Sequence, residues 1–575
     1  MRGASVAMLL CGTILVLVLA QPALAQQPED PVVLVLVKDG LTWESAVRTP
    51  GLAPVFRDGA TASLSTAQGL ASDDPRMEYA LLGAGARADT SLLPDELPKA
   101  RAKVPDAFDG PAATIQPGSL GDTLAKSGVQ SAAIGESAAL VVMDSKGRVP
   151  TVYETDGSSK KLEKAIQNGA RFVAVEASNP RESKEIVETA REAGATVAVA
   201  APNAPAGAAN LAPFVLSGSD GVLYSPGTRT NGLLSSEDVA PTLLNRLGIK
   251  APPEMAGRAT EVRPGSAPDA ARLQERLAFV DEERAVVWAL LVGASAAAVV
   301  LGTVLRGRDG VRMAVLFLVS LPFGTLAAAA VPITNAVLVA VLAAVLAGGL
   351  VVLALGFSSG KLGGLAVVSL VTVVVVLADA AFGGRVMGFS VLGHDPAYGT
   401  RFYGIGNEYS AVVAGALPLG AGLAVGLRPR LIALVPVVGV AAMVALGLPP
   451  MGADVGGSLA LGSGLGATVG LLRGGRLLSI ALWSGGGLFA AVVLFVVGGS
   501  LFPDVSHGAR AASGDVALYE VAARKIILSL RHLLNPIWAV LLMALAALTF
   551  FGWRRVRGEV GGRTVAAGML GAAVA

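Results

Sequence analysis

The stretch "RFVAVEASNPRESKEIVETAREAGATVAVAAP", residues 171–202, alternates the pattern of a strand with that of a helix. The short apolar runs at its two ends are typical of buried strands. Between them, Asn179 followed by Pro180 is a helix start signal, and Gly194 is a stop signal. A strand, a helix and a second strand in this order predict two parallel strands joined by a crossover helix.

The same alternation predicts the architecture of the whole N-terminal part of the chain. The run "VVLVLV" at 32–37 is continuously aliphatic, which is typical of a central strand buried on both faces. "SSKKLEKAIQNGA" at 158–170 predicts a further helix. We therefore predict an α/β domain with a mostly parallel sheet at 27–265, followed by a linker at 266–284.

Composition divides the chain into two unlike halves. Of the 575 residues, 53% are apolar and only 15% are charged, whereas soluble domains have roughly 25% charged residues. The formal net charge is +2 and no dense basic patch is present, so we predict no nucleic-acid partner. High Ala, Gly, Val and Leu with few aromatic residues favours a GC-rich bacterial source.

The first residues have the pattern of a secretory signal peptide. Arg2 supplies a positive start, an apolar run follows, and Ala-Leu-Ala at 23–25 forms a small-x-small cleavage site. We predict a signal peptide at 1–25, with an uncleaved anchor helix as the alternative. In both interpretations the α/β domain is exported. The single cysteine, Cys11, lies in this segment, so we expect no disulfide and no thiolate metal site in the mature chain.

Residues 285–575 are predicted to form an all-α polytopic membrane domain. A span needs about 18 or more consecutive apolar residues. The predicted spans are 285–305, 311–331, 335–357, 363–382, 408–426, 431–449, 454–471, 478–499 and 533–553. A tenth apolar segment begins near 564, so we expect nine to ten transmembrane helices.

Basic residues predict which side of the membrane each connection occupies. Alternate connections are all basic: "RGRDGVR" (306–312), "SSGK" (358–361), "LRPR" (427–430), "RGGR" (473–476) and "WRRVRGE" (553–559). The connections on the other side at 332–334 and 449–454 contain no lysine or arginine. By the positive-inside rule the basic side is cytoplasmic. We therefore predict a multi-pass cell-membrane protein whose N-terminal domain is extracytoplasmic, together with the loops 383–407 and 500–532.

Three stretches of the exported domain carry a family resemblance. "VLVKDGLTWES" (35–45) places an aspartate after the first strand, and "YALLGAGARA" (79–88) resembles the segment after a nucleophile strand. "SPGTRTNGLLSSEDVAPTLLNRLGI" (225–249), followed by "PPEMAGR", resembles a C-terminal signature. Together they resemble the alkaline phosphatase superfamily, the fold of phosphatases, sulfatases and cofactor-independent phosphoglycerate mutases, over roughly 32–260.

The resemblance implies two metal ions held by aspartates and about three histidines, with a Ser or Thr nucleophile. Asp39 matches the first-strand aspartate, and Ser65 or Thr66 falls in the nucleophile region. However, the three histidines of the chain, His394, His507 and His532, are all in the membrane half. We therefore predict a catalytically degenerate domain without a cofactor.

Two alternatives remain open for the acidic residues of this domain. Oxygen ligands suit a hard divalent cation, and the candidates for such a site are Asp39, Asp73, Asp74 and Asp220. Alternatively, Asp39-Gly40 is a strand-to-loop turn, and Ser236, Glu237 and Asp238 cap a helix N-terminus.

A weak ligand site is also expected at the carboxyl ends of the strands, where open α/β sheets bind ligands. There Arg229, with Thr228 and Thr230 beside it, is a candidate contact for an anionic group.

The membrane half has one conspicuously polar loop, "GHDPAYGTRFYGIGNEYS" at 393–410. Its candidate catalytic residues are His394, Arg401 and Glu408, with His507 in the next external segment, since polar residues at membrane depth tend to be functional. In the alternative reading Glu408 only complements the helix dipole and the tyrosines form an interfacial belt. The pattern R-x-x-G-x-x-N-E resembles the O-antigen polymerase and ligase class, which acts on lipid-linked glycans.

Three functions are compatible with these patterns. The favoured one is a bacterial cell-envelope membrane protein that handles or regulates a lipid-linked or glycan substrate, with a degenerate phosphatase-like domain outside. Its partners would be the lipid bilayer and that envelope component. The second is an active, membrane-anchored, metal-dependent phosphohydrolase or phosphotransferase. The third is a secondary transporter with an exported accessory domain.

Overall fold

The computed structural model describes residues 30–66, 74–86, 96–108, 115–204, 209–358, 362–399, 401–473 and 475–502, with 543, 566–569 and 571. The chain divides into unit 1, Met1–Gln274, and unit 2, Glu275–Ala575. Several predictions fall outside the described residues: the signal peptide at 1–25, Asp73, the loop 503–532 with His507 and His532, and the span 533–553 apart from Met543.

Unit 1 is built on one mixed sheet of ten strands. They are β1 Val32–Val37, β2 Ala60–Ser65, β3 Ser131–Ile134, β4 Thr151–Tyr153, β5 Phe172–Ala177, β6 Thr196–Ala200, β7 Leu211–Leu216, β8 Gly221–Tyr224, β9 Leu233–Ser235 and β10 Glu261–Arg263. Their order is β10-β8-β2-β7-β6-β1-β5-β3-β4, with β9 also paired to β2. Six of the nine strand pairs are parallel, so the predicted mostly parallel α/β class is confirmed.

The antiparallel direction of β7 has a simple cause. β7 pairs antiparallel with β2 and with β6, and β10 pairs antiparallel with β8. β7 and β8 lie on opposite sides of β2 in the sheet, and only the four residues 217–220 join them. Because a parallel connection needs a crossover of about a dozen residues or more, such a short link forces the chain to reverse direction.

Eight α-helices accompany the sheet in the described part of unit 1. They are α1 Trp43–Arg48, α2 Leu52–Asp58, α3 Arg76–Ala84, α4 Ser119–Lys126, α5 Glu136–Val142, α6 Ser158–Gln167, α7 Pro180–Glu192 and α8 Val239–Arg246. The start of α7 matches its sequence signals, since the side chain of Asn179 accepts the N–H groups of Arg181 and Glu182.

The sheet separates two apolar layers. Alternate side chains of β1 enter opposite layers: Val32, Leu34 and Leu36 pack on one face, and Val33, Val35 and Val37 pack on the other. All six residues are buried. The continuous aliphatic run of β1 is explained by this position, because a central strand covered on both faces has no solvent-facing side chain.

Unit 2 is helical. With the helix that leads into it from unit 1, its helices between residues 267 and 502 are α9 Ala267–Ala329, α10 Ala336–Phe357, α11 Gly363–Ala381, α12 Asn407–Leu427, α13 Val435–Gly447, α14 Val455–Arg473 and α15 Leu477–Leu501. Six of them, all but α13, are long and apolar enough to cross a membrane. The residues 266–284, predicted as a linker, are helical from Ala267 onward.

The long helix α9 consists of two arms. Gly307 has non-helical dihedral angles, φ 55° and ψ −126°, and a Cβ built on Gly302 would lie 2.8 Å from the carbonyl oxygen of Gly310. Residues eight apart on a straight helix are about 12 Å apart along its axis. The chain therefore folds back at Gly307, and the predicted spans 285–305 and 311–331 lie on the two arms.

The predicted span 431–449 differs from the observed helix. α13 covers only the 13 residues Val435–Gly447 and follows a 3-10 turn at Pro429–Ala433. At 1.5 Å per residue it is about 20 Å long, shorter than the hydrocarbon core of a bilayer, about 30 Å. Prolines at its two ends, Pro436 and the pair Pro449-Pro450, account for the limits, because proline disfavours helix before it and lacks a donor.

Candidate functional site

Six strands of unit 1 end at one edge of the sheet. The parallel registers of β1 with β5 and β6, and of β2 with β8 and β9, align their carboxyl ends. The two sets run in the same direction, because β7 lies antiparallel to both β6 and β2. The residues that follow these strands, Asp39, Thr66 and the loop 225–230, therefore share the edge at which such sheets bind ligands.

Asp220 is placed elsewhere. It follows β7, whose carboxyl end lies beside the amino end of β2, where Leu216 pairs with Ala60. The all-oxygen set of Asp39, Asp73, Asp74 and Asp220 is therefore not brought together, because Asp39 and Asp220 lie at opposite edges. The sequence could not reveal this, since the direction of β7 depends on its tertiary partners.

Asp74 is already engaged by a neighbour. Its carboxylate forms an ion pair with Arg76 and accepts the backbone N–H of Leu97 at 2.9 Å. Burial opposes ionisation, but these hydrogen bonds hold the pKa of Asp74 below its usual range. A carboxylate with these partners stabilises the local chain and is not available as a metal ligand.

Lys38, Asp39 and Glu176 lie at the ends of β1 and β5. The Nζ atom of Lys38 lies 3.4 Å from Oε1 of Glu176, and the other carboxylate oxygen accepts the N–H of Ser137 at 3.1 Å. Nearby, the buried hydroxyl of Tyr79 makes no hydrogen bond. Burial raises the pKa of Tyr79, and the charges of Glu176 and Asp39 raise it further.

The metal pair implied by the family resemblance does not fit these residues. Among the described residues no group of three or more His, Cys, Asp or Glu side chains could hold a metal ion. The predicted nucleophile region is also engaged: the Thr66 hydroxyl donates to the carbonyl of Asn210 at 3.0 Å, and Ser65 is buried in β2 opposite Ser235 of β9.

The 225–230 loop is held by its own side chains. The Thr228 hydroxyl donates to the carbonyl of Leu233 at 2.7 Å, and that of Thr230 donates to the carbonyl of Thr228 at 3.3 Å. Arg229 has φ 55°, a left-handed conformation uncommon outside glycine. The two threonines therefore shape the loop.

Asp238 is a buried structural residue of the same edge. Its carboxylate accepts the N–H groups of Ser235 at 3.2 Å and Arg258 at 2.8 Å, and burial raises its pKa to about 7. The residues Ser236–Asp238 form a 3-10 turn that leads directly into α8. This position agrees with the predicted role at a helix start.

The polar loop of unit 2 is joined to the turn before α14. Ile405 donates its N–H to the carbonyl of Gly452 at 2.8 Å. The guanidinium of Arg401 donates to the carbonyl of Ile405 at 2.6 Å and to that of Gly452 at 3.4 Å. Two connections distant in sequence, 382–406 and 448–454, therefore meet at the starts of α12 and α14.

His394 lies inside this junction. It is 7% exposed, and neither ring nitrogen makes a hydrogen bond of normal geometry. Burial lowers the pKa of His394 to about 3, and the positive charges of Arg401 and Arg284 lower it further, although the nearby backbone of Phe402 has the opposite effect. The imidazole is therefore held in its neutral form inside the junction.

Asp395 connects the loop to α9. Its Oδ1 accepts the N–H groups of Ala397 at 2.9 Å and Tyr398 at 3.3 Å, and its Oδ2 lies 3.7 Å from Arg284. Burial raises the pKa of Asp395 to about 6, as does a hydrogen bond shared with Asp281. The carboxyl group thus stands between a cation and a second carboxyl group.

We define the loop cluster as His394, Asp395 and Arg401 of the loop with Asp281 and Arg284 of α9. Sequence reasoning missed Asp281 and Arg284. The only available signal was the charged segment "VDEER" (280–284) immediately before an apolar run, where Asp281 and Arg284 share a helix face at a spacing of three residues.

Glu408 lies beside the loop cluster at the start of α12, since a Cβ on Gly406 would lie 3.2 Å from its Oε2 and 2.8 Å from the backbone nitrogen of His394. Glu408 is exposed in the first turn of α12, a position where a carboxylate favourably faces the helix dipole. Ser410, two residues further, is 3% exposed and its hydroxyl makes no hydrogen bond. A Cβ built on Gly457 of α14 would collide with that hydroxyl, so the two helix starts are in close contact there.

No protein-family model matches this chain, and a search of curated proteins gives no match either. The class of protein is therefore defined by the structure itself. The chain is a two-unit protein that combines a mostly parallel α/β unit with a helical unit. Six long apolar helices in the described residues have lengths and compositions that are compatible with a multi-pass membrane protein.

Proposed function

We propose that this chain is an integral membrane protein of the bacterial cell envelope whose loop cluster binds the anionic group of a lipid-linked or glycan substrate. In this proposal unit 1 faces the same extracytoplasmic side, is catalytically degenerate, and binds or regulates rather than catalyses. The alkaline phosphatase-like character of unit 1 is part of the proposal.

The observation that supports it most is the environment of His394. A buried imidazole, neither nitrogen of which has a hydrogen-bond partner of normal geometry, lies in the positive field of Arg401 and Arg284. In the described part of the chain Arg401 donates only to backbone carbonyls and forms no ion pair with a carboxylate. A guanidinium without a counter-charge, beside a neutral hydrogen-bonding ring, suits a phosphate or carboxylate of a ligand.

The position of the cluster supports a lipid-linked substrate. It lies between the ends of helices whose length and composition are compatible with the bilayer, so a ligand held there would keep its apolar chain beside the exposed faces of those helices. Polar residues close to the hydrocarbon core of a membrane tend to be functional, because each of them is costly to desolvate.

The test is the substitution of Arg401 by Gln, which removes the charge but keeps hydrogen-bond donors for Ile405 and Gly452. We expect the purified full chain to lose co-purified anionic lipid or glycolipid in native mass spectrometry, and the cells to accumulate a lipid-linked glycan at unchanged protein abundance. Arg385→Ala, in the same connection but exposed, is the matched control and should behave as wild type.

Unchanged ligand and unchanged envelope in Arg401→Gln and in His394→Gln, at normal abundance, would refute the proposal. The phosphohydrolase alternative makes a different prediction. If the full chain hydrolyses p-nitrophenyl phosphate with Mg²⁺, Mn²⁺ or Zn²⁺, and Asp39→Ala abolishes this activity, unit 1 is an enzyme and the ranking of the two functions is reversed.

A further inference from the structure

Arg276, near the beginning of α9, is held in place by two contacts within unit 2. Its guanidinium carbon lies 3.9 Å from the centre of the Phe389 ring, and its Nη2 atom donates to the carbonyl of Ala329 at 3.0 Å. The planar guanidinium is weakly hydrated and stacks well on aromatic rings. Ala329 is the last residue of α9, and a carbonyl at a helix end lacks an intrahelical donor. The ring and the helix end therefore fix the orientation of the guanidinium.

Neither contact neutralises the charge of Arg276. Its side chain is only partly exposed, and among the described residues its polar partner is the carbonyl of Ala329 rather than a carboxylate. Arg272, one turn earlier on α9, is exposed and forms an ion pair with Asp269. A guanidinium has five N–H donors, and a partly buried cation is costly unless it is paired. A ligand that brings negative charge and oxygen acceptors is therefore favoured at Arg276.

A small cavity adjoins the guanidinium. Phe279 near the start of α9 and Val331 and Ile333 beyond its end contribute to the walls, and the lining residues other than Arg276 and Thr325 are apolar. The cavity has a volume of about 10 Å³, which is room for one water-sized group. It therefore admits a single ligand oxygen and is too small for a sugar ring or an acyl chain.

The cavity lies level with the ends of two long apolar helices. α9 ends at Ala329 and α10 begins at Ala336, and both helices are long and apolar enough to cross a membrane. Apolar side chains of this region are exposed, with Val331 at 45%, Val337 at 56% and Leu338 at 57%. The end of a spanning helix lies next to the headgroup region of a bilayer. A ligand with an anionic headgroup above apolar chains therefore matches both the cation and its surroundings.

We propose that Arg276 and this cavity bind one phosphate oxygen of a phospholipid, whose acyl chains lie against the exposed apolar start of α10. The guanidinium supplies the charge and the N–H donors, and the Phe389 ring fixes its plane. Arg284 of the loop cluster lies eight residues further along α9, about 12 Å along the helix axis, so the lipid site is separate from the cluster. The inference goes beyond the proposed substrate site and requires only that unit 2 lies in a bilayer.

Native mass spectrometry of the purified full chain, titrated with dioleoyl phosphatidylglycerol, tests the lipid site. We expect one tightly bound lipid in wild type and an affinity about tenfold weaker in Arg276→Gln, as for the loss of a hydrogen bond to a charged group. Arg272→Gln is the matched control and should bind as wild type. Dioleoylglycerol, with the same chains and no phosphate, and inorganic phosphate, without the chains, should both bind wild type more weakly.

Val331→Asp provides a second variant, because Val331 is exposed and the substitution leaves the core unchanged. We expect its carboxylate to compete with the phosphate for Arg276 and to weaken lipid binding, whereas the neutral Val331→Asn should bind as wild type. Wild-type affinity in folded Arg276→Gln would overturn the inference, and if that variant does not fold, wild-type affinity in Val331→Asp decides in the same way. Equally tight binding of dioleoylglycerol to wild type would also overturn it.

The outcome is distinguishable from that of the loop-cluster proposal. Arg401→Gln should keep the phosphatidylglycerol site, and Arg276→Gln should keep any lipid-linked glycan that co-purifies with wild type. Loss of phosphatidylglycerol in Arg401→Gln to the same extent as in Arg276→Gln would contradict a separate site.

Discussion

His394 and Asp395 are adjacent in sequence, and burial shifts their pKa values in opposite directions. The pKa of His394 falls from 6.5 to about 3, because the buried ring avoids a charge near two arginines. The pKa of Asp395 rises from 3.8 to about 6, because burial and Asp281 favour its protonated form. At the residue scale, burial thus disfavours the charged form of both neighbouring groups.

These shifts predict opposing pH effects. Between about pH 6.5 and 3 the unfolded state binds a proton at His394 that the folded state rejects, so stability falls as pH falls. Between 3.8 and about 6 the folded state keeps a proton at Asp395 that the unfolded state has released, so stability falls as pH rises. In wild type we expect the two slopes to offset each other between about pH 4 and 6.

Asp395→Asn should expose the slope of His394. We expect the free energy of unfolding of this variant to fall by about 1.4 kcal/mol per pH unit from pH 6 to 4, relative to wild type. The apparent unfolding midpoint of the detergent-purified chain measures this. Adding His394→Gln should remove the extra slope, and an Asp395→Asn profile parallel to wild type would mean that His394 is not held neutral.

At the element scale, glycines determine how closely α14 and α15 approach. A Cβ on Gly462 would lie 2.5 Å from the carbonyl oxygen of Gly487, and a Cβ on Gly487 would collide with the carbonyl of Gly462. Gly466 faces the backbone of Trp483 in the same way. Small residues at such positions allow helix backbones to touch. In a membrane the hydrophobic effect does not drive helices together, so they associate through this close packing.

Gly487→Ala should therefore destabilise unit 2, while its neighbour should not. Because the added methyl meets backbone and cannot be relieved by a side-chain rotation, we expect a loss of about 1–3 kcal/mol, seen as a lower unfolding midpoint. The matched control is Gly486→Ala, since a Cβ there has no atom within 4 Å and alanine favours a helix. Equal effects of the two substitutions would contradict the observed packing.

At the scale of the whole molecule, the predicted membrane side of each connection can be compared with the contacts between connections in unit 2. The connections 383–407 and 449–454 were predicted to lie on the side of the membrane opposite the basic connections. In unit 2 they are hydrogen-bonded to each other through Ile405 and Gly452. The basic connection 427–430 lies at the opposite end of α12. The path of the chain within unit 2 is therefore compatible with the predicted alternation.

Cysteine labelling of intact cells tests the sidedness of both units. With Cys11→Ser as background, we expect a membrane-impermeant maleimide to label Lys164→Cys in unit 1 and Tyr398→Cys in the loop. Arg430→Cys should react only after permeabilisation. All three positions are exposed. Labelling of Tyr398→Cys without Lys164→Cys would place the two units in different compartments and would remove the proposed cooperation between them.

Local patterns in the sequence determined the classes of structure in this chain. The aliphatic run at 32–37 and the capped helix after Asn179 specify strand and helix by short-range preference and burial, and they are observed as β1 and α7. The lengths of the apolar runs likewise predicted most of the long helices, because each helical residue adds 1.5 Å to the distance that a segment can span. The loop residues His394 and Arg401 were found from their polarity alone.

Only the tertiary structure decided which residues meet. Asp281 and Arg284 reach Asp395 from more than a hundred positions away, Asp220 lies at the edge opposite Asp39 because β7 is antiparallel, and Lys38 meets Glu176 through strand register. The limits of α13 and the reversal at Gly307 also depend on context. The physical reason is that composition and periodicity record each residue's own environment, whereas contacts between distant segments depend on strand direction and helix packing.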